Sequence, residues 1–347
     1  MKTNTKFFIG IDVSKLTFDA AIWVVINHVK QDIKTEKFEN SEAGLKRFFK
    51  WLRSLKVTFD ENTLLVIENT GIYHRMLWAF CSENNLSIHI GNATHIKWSF
   101  GLVRGKNDRI DSIRLCKYAF KEADELKSSL ALNPVLLQLK DLQTSRVRLI
   151  SQRNANKTYL KELKNISNKQ TQKVLEQGYK SAINGIEKSI IAFENEIKKI
   201  ISTDKDMKET YKLLISVPGI GHITAIYMII CTNNFAGNLT GKQLACYAGV
   251  APFGNTSGTS IKGKEKVHKM ANKELKTLLF LCAMSAANHN PEIRDYYERK
   301  IKEGKHFLSV INAIKNKLIL RAVAVVRNKK PFVSNYIILV DNLKKAS

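Results

Sequence analysis

The chain has 347 residues, enough for two or three domains with an ample core. Lysine and arginine number 56 against 31 acidic residues, a formal net charge of +25, which points to a polyanionic partner: nucleic acid before an anionic membrane surface. Five scattered cysteines without a C-x-x-C pair exclude a disulfide framework and a zinc site, no apolar run reaches the length of a membrane span, and the first residues lack a secretory layout, so the sequence predicts a cytoplasmic protein with buried, reduced thiols and no membrane partner.

Residues 6–13 read as a first strand whose apolar run is interrupted by Asp12. A carboxylate in a buried strand is costly unless it is paired or holds a cation. After a turn at 12–15, residues 18–25 form a second β-rich run and 33–38 a weaker third; their closeness in sequence predicts antiparallel hairpins. Ser41 is an N-cap candidate for a helix whose apolar face is Leu45, Phe48, Phe49 and Leu52. A fourth strand, 63–68, ends in Glu68; a helix over 73–83, a fifth strand at 87–90 and a helix over 108–120 follow. The order β-β-β-α-β-α-β-α, with acids on strands one and four and on the last helix, resembles the ribonuclease H fold, most closely its resolvase-like (RuvC-like) branch.

Asp108 and Asp111 are three apart, so on a helix they share a face. With Asp12 and Glu68 they make four convergent carboxylates, a hard-oxygen site for one or two Mg²⁺ (or Mn²⁺) ions. Two such ions about 4 Å apart can activate a nucleophile and stabilise the leaving oxygen of phosphoryl transfer. Taken singly, each acid has a plainer role: Asp12 paired to a basic side chain, Glu68 capping the next helix, Asp108 as an N-cap, Asp111 as an exposed first-turn acid. Their joint placement on these elements favours the metal reading.

From Pro134 the pattern turns helical. Leu136, Leu139, Leu142, Leu149, Leu160 and Leu163 fit a 3-4 spacing, and a second helix carries the stripe Ile183, Ile186, Ile190, Phe193, Ile197 and Ile200, a coiled-coil seam of fewer than three heptads. The stripe suits either an intramolecular helical hairpin or an arm packed on a second subunit. Arg146, Arg148, Arg153, Lys157, Lys161, Lys164, Lys169 and Lys173 crowd the first helix and the turn, as a solvated face or a phosphate-contact surface.

Val217-Pro-Gly-Ile-Gly221 lies between two apolar helices and looks like a helix-hairpin-helix, in which Gly219 and Gly221 permit a tight turn whose backbone N–H groups face an anion. A Gly/Ser/Thr-rich stretch from Pro252 to Gly263 reads as a basic loop running into Lys262, Lys264, Lys266 and Lys269. Composition alone does not single out Ser257 within it. A helix over 271–289 follows, and residues 294–330, rich in lysine and arginine, read as one basic helix packed on the domain and backing a nucleic-acid surface.

Gly-Ile-Asp12-Val-Ser-Lys, Ile67-Glu68-Asn-Thr-Gly-Ile-Tyr73, Lys106-Asn-Asp108-Arg-Ile-Asp111, Val217-Pro-Gly-Ile-Gly221 and Gly249-Val-Ala-Pro252…Ser257-Gly258 occur in one order. That set resembles the insertion-sequence transposases related to the Piv DNA invertases (the IS-one-ten type), over residues 6 to about 325. The resemblance implies a resolvase-like D-E-D-D domain at 1–125 with Asp12, Glu68, Asp108 and Asp111 catalytic and metal-binding, a coiled-coil arm at 126–205, and a mainly α transposase domain at 206–347. It implies that Ser257, with Ser260 a nearby rival, attacks DNA, and that a noncoding bridge RNA guides the reaction between element ends and target. It further implies a bacterial or archaeal, nucleoid-associated homo-oligomer, dimer or tetramer, with a composite active site. Two other readings remain: a metal-dependent, junction-resolvase-like nuclease that uses water, and a non-catalytic nucleic-acid binder.

Overall fold

Period-two alternation sorts the first strand, β1 (Thr5–Val13), onto two faces. Phe7, Ile9, Ile11 and Val13 enter one apolar cluster, whereas Phe8 enters another with Leu115 and Cys116. The computed structural model describes residues 4–69, 71–101, 105, 107–129, 133–163, 165, 168–257 and 261–333, with the side chains of 255–257, 261, 262 and 264 outside that description. Thr70, Lys106, Lys164, Gly258 and Ser260 of the sequence motifs lie outside the described residues. The chain divides into two compact units, Met1–Leu132 and Asn133–Ser347.

In the first unit β2 (Thr17–Ile26) pairs antiparallel with β1, and the short β3 (Val29–Lys30) and β4 (Lys34–Glu39) both pair antiparallel with β2. After α1 (Glu42–Ser54), β5 (Thr63–Glu68) returns parallel to β1. After α2 (Arg75–Glu83), β6 (Ile88–Gly91) pairs parallel with β5, giving the order β3-β2-β1-β5-β6 with β4 also on β2. Ser41 caps α1 as expected, accepting from Gly44 N at 3.2 Å. Between β6 and α4 (Asp108–Lys121) lies a short helix absent from the sequence reading, α3 (Ala93–Ser99). Asn92 caps it through Thr94 N and His95 N, but it buries only Ile96, so no apolar period announces it.

Gly10 explains why α4 lies so close to the sheet. A Cβ there would stand 2.0 Å from Cys116 N and 2.3 Å from Ser112 O. The Cys116 thiol donates to Phe8 O at 3.1 Å across the same contact, and burial pushes that thiol up to about 12. Both neighbours of the missing Cβ are backbone, which cannot swing away. Gly10→Ala is therefore expected to cost about 3 kcal/mol or more in urea unfolding, by forcing α4 off β1.

In the second unit α5 (Pro134–Leu163) and α6 (Lys169–Thr203) pair within the chain. Arg146 meets Glu194 at 2.7 Å and Lys157 meets Glu187 at 2.8 Å; Ile183, Ile190 and Ile197 of the stripe are buried, and Ile186, Phe193 and Ile200 half-buried. α7 (Lys205–Ile215), α8 (His222–Cys231) and α9 (Gly241–Tyr247) follow. The stretch expected to be a loop is instead an antiparallel hairpin, β7 (Pro252–Ser257) and β8 (Ile261–Val267). Its strands lack apolar alternation; the register breaks between Phe253 and Asn255, around Gly254, as a bulge tolerates. α10 (Lys273–His289) follows, and the single basic helix expected next is two: α11 (Pro291–Lys302) and α12 (Phe307–Asn328). Gly304, at φ +77, turns the chain between them, and His306 caps α12.

Cys81, Cys116 and Cys282 are buried as expected, Cys231 is half-buried, and Cys246 is exposed against expectation; all five are free thiols. No helix among the described residues is long and apolar enough to cross a membrane.

Candidate functional site

Strand parity places the acids of the sheet. Asp12 shares the parity of Phe8 and Gly10, and Glu68 that of Leu64 and Val66, which pack on the α4 side of the sheet. Two residues along β1 from Gly10 is about 7 Å, and four residues back along α4 from Ser112 to Asp108 is about 6 Å. The close approach at Gly10 thus brings α4's acidic end to the end of β1. Asn107, not Asp108, caps α4, accepting from Ile110 N at 2.8 Å; Asp108 and Asp111 form the first turn.

The electrostatics register this convergence. Burial pushes the Asp12 carboxyl from 3.8 up to about 6, and the charges of Asp108, Asp111, Glu68 and Asp19 add to the shift. Asp19 is a fifth acid that the sequence reading did not select. It is the register partner of Asp12 on β2, buried, and ion-paired with its own cross-strand neighbour Lys37 at 3.6 Å. The signal was present: Asp19 interrupts an apolar strand as Asp12 does. Asp111 is held by Arg114 at 2.7 Å, and Arg114 also donates to Gly105 O at 3.0 Å.

Among the described residues no three His, Cys, Asp or Glu side chains are gathered tightly enough to form a ready-made metal-ligand set. The acids nevertheless fit a hard divalent cation: their donors are all carboxylate oxygens, and the repulsion concentrated on Asp12 is what a cation would relieve. The sign of the pH effect follows. A carboxyl whose folded value exceeds its unfolded 3.8 costs stability progressively as pH rises from about 4 to about 6, and fully above that. Mg²⁺ or Mn²⁺ is therefore expected to raise the melting temperature by several degrees at pH 7.5 and much less at pH 5, where Asp12 is mostly protonated. Equal cation effects at the two pH values would contradict this.

In the second unit Ser257 ends β7, its backbone opposite Ile261. Lys262, Lys264 and Lys266 occupy alternate positions of β8; Lys266 is exposed, as is Lys269 just beyond the strand. The proposed anion turn splits in two. Gly219, at φ +93, is spent on packing: a Cβ would stand 2.7 Å from Ala286 Cβ and 2.9 Å from Cys282 O, both on α10. Gly221 is exposed and caps α8 with no side-chain bond, leaving that helix N-terminus to solvent. On the arm, Arg146 is engaged by Glu194, and Arg153 donates to the neighbouring Asn154 side chain at 3.2 Å. Within the first unit the charges of Glu68, Asp108 and Asp111 act on Asp12 without a ready-made metal-ligand set among the described residues, while Ser257 and the lysines belong to the second unit.

Comparison with known proteins gives two family matches. A model described as transposases of the IS116/IS110/IS902 family matches residues 211–298, and a transposase model of the DEDD type from IS110 elements matches residues 9–165. The pilin gene-inverting protein of Moraxella bovis is 28% identical over 334 residues, covering 94% of this chain and 98% of its own. Its counterpart from Moraxella lacunata is 29% identical with the same coverage. An uncharacterised 43.6 kDa protein of the insertion element IS110 from Streptomyces coelicolor is 39% identical over 93 residues, 27% of this chain and 23% of that protein. The four acids lie in the span matched at 9–165; Ser257, both glycines and the hairpin lysines lie in the span at 211–298.

Proposed function

Because the chain belongs to the IS116/IS110/IS902 transposase family and is related to the Piv pilin invertases, we propose that it cuts and rejoins DNA by a serine nucleophile that acts with its D-E-D-D acids. Its first unit is a ribonuclease H-like DEDD domain, a mainly helical region follows, and the family binds DNA and uses divalent metal generally.

The observation that carries the reading is the field on Asp12: four carboxylates from β2, β5 and α4 act on a half-buried fifth. Asp12, Glu68, Asp108 and Asp111 would hold Mg²⁺ or Mn²⁺. When bound, such an ion supplies charge neutralisation at phosphate oxygens and lowers the cost of ionising a hydroxyl. In the reaction we assign, Ser257 Oγ attacks a DNA phosphorus, one P–O bond forms as the DNA P–O bond breaks, the serine gives up its proton, and the leaving DNA oxygen departs as a hydroxyl. One phosphodiester is exchanged for another, so strand exchange and religation need no external energy source. The acids and Ser257 belong to different units, which favours a composite site and, with the α5–α6 arm, a homo-oligomer. We extend the reading to a RuvC-like first domain, a coiled-coil arm, a helix-hairpin-helix around Gly219–Gly221, and a bridge RNA held on the basic surface together with duplex DNA at the element ends and target.

The test is direct. Purified protein, Mg²⁺ and DNA carrying an element end, with RNA transcribed from that end, should give a protein–DNA adduct that survives denaturation. Cleavage without adduct would replace this reading with a nuclease that uses water. Tight binding with neither product would replace it with a DNA binder.

A further inference from the structure

Lys315 is the only buried lysine or arginine among the described residues, at 6% exposure, and it makes no hydrogen bond or ion pair with any described residue. Its stem is buried, while its ammonium nitrogen is not among the unpartnered side-chain atoms sealed from solvent, so the charged tip reaches the surface. The charge of Lys276, on α10, acts on it, and burial together with that charge lowers the Lys315 ammonium to about 8.

The helices that carry the two lysines both meet one short piece of backbone. Asn312, one turn before Lys315 on the same face of α12, donates to Val250 O at 2.8 Å. From the other side, Lys276 Nζ lies 3.7 Å from where a Cβ on Gly249 would be. Gly249 itself is at φ +64, and its missing Cβ lets Ala271 approach to what would be 2.3 Å. Asn272 fixes the start of α10 against α9, its N–H donating to Tyr247 O at 2.8 Å and its side chain to Tyr247 Oη at 2.9 Å. The turn at 249–251 leads straight into β7. Both lysines thus lie on helices that meet the root of the hairpin whose first strand ends in Ser257.

We propose that Lys276 and Lys315 seat a backbone phosphate of DNA at the root of the β7–β8 hairpin. The inference rests on the reading of the chain as a DNA-processing enzyme and adds a site to it. A phosphodiester carries one negative charge on two free oxygens, so it can accept from both ammoniums and supply the counter-charge that no described residue gives Lys315. From Val250 to Ser257 is seven residues, at most about 23 Å along an extended strand, so the seated phosphate is distinct from the one Ser257 would attack. Lys276 and Lys315 are therefore positioning residues, which set the register of the duplex on the hairpin. Lys276 lies within the matched span 211–298, but Lys315 lies outside both matched spans.

Binding of a fluorescent duplex of about 30 base pairs to the full chain, titrated with salt, tests this. Lys315→Met and Lys276→Met are each expected to weaken binding about tenfold at 100 mM salt and to lower the slope of log K against log salt by about 0.9, one phosphate contact. Lys315→Arg should retain most of the affinity. The DNA-free Lys315→Met protein should melt higher than wild type, because the repulsion with Lys276 and the desolvation of the charge are gone; a merely structural lysine would give the opposite change and leave the salt slope alone. Should Lys315→Met fail to fold, the half-buried Lys276→Met carries the same binding test. Wild-type affinity and slope in the folded variants overturn the phosphate seat alone. Loss confined to a single-stranded RNA of equal length overturns its assignment to DNA. A wild-type chain that binds no duplex overturns the underlying reading along with the seat.

Discussion

Ser257→Ala is expected to abolish the covalent protein–DNA adduct and to lower strand exchange by at least about a thousandfold, since the proposed covalent link is made through its hydroxyl. Ser257 is the last residue of β7, its backbone opposite Ile261, and the variant is expected to fold and bind duplex as wild type does. The comparison that gives the result meaning is Ser260→Ala, which should keep the adduct. If instead the adduct persists in Ser257→Ala and vanishes in Ser260→Ala, the nucleophile is Ser260. If cleavage persists in both while adduct is absent, water is the attacking group and the hairpin only binds.

Asp12→Asn should have two effects of opposite sign. It removes the acid on which burial and four carboxylates act, so DNA cleavage should fall by about a thousandfold or more at saturating Mg²⁺, and the cation's effect on melting at pH 7.5 should shrink. It also removes a charge that the fold strains to hold. The shift from 3.8 to about 6 is worth up to about 3 kcal/mol. Asp12 is partly exposed, and solvent screening reduces this to about 1–2 kcal/mol. Metal-free Asp12→Asn should therefore be more stable than wild type at pH 7.5 and similar to it near pH 4, by urea unfolding. Lost cleavage with lost stability would mean that Asp12 serves the fold and not the reaction.

Much of the first unit was legible because strands with one covered side announce themselves. The β1 run, its break at Asp12 and the matching break at Glu68 could be read without coordinates, as could the i, i+3 pair on α4. What escaped depended on three-dimensional neighbours. Asp19 became notable only once the β1–β2 register set it opposite Asp12. Gly10 looks like any strand glycine until the α4 backbone is found against it. The β7–β8 hairpin was hidden because Gly, Ser, Thr and Lys carry little strand signal, and its pairing, not its composition, makes it a strand pair. Gly219 was read as facing an anion, whereas a neighbouring helix claims it. Lys315 was one basic residue among many in its segment; only packing distinguishes a lysine whose stem is buried and whose charge no described acid pairs.

The contact between Gly10 and α4 also has a bearing on biosynthesis. Its two sides are more than a hundred residues apart, so nearly the whole of the first unit must be made before the contact can close. Pairings of such long sequence separation form late and slowly. During translation Asp12 therefore emerges early among β1 and β2, with Asp108 and Asp111 still to come. The acids can meet only after α4, the last helix of the first unit, has been made and docked on β1. The appearance of the charge cluster is thereby tied to the closing of that one contact.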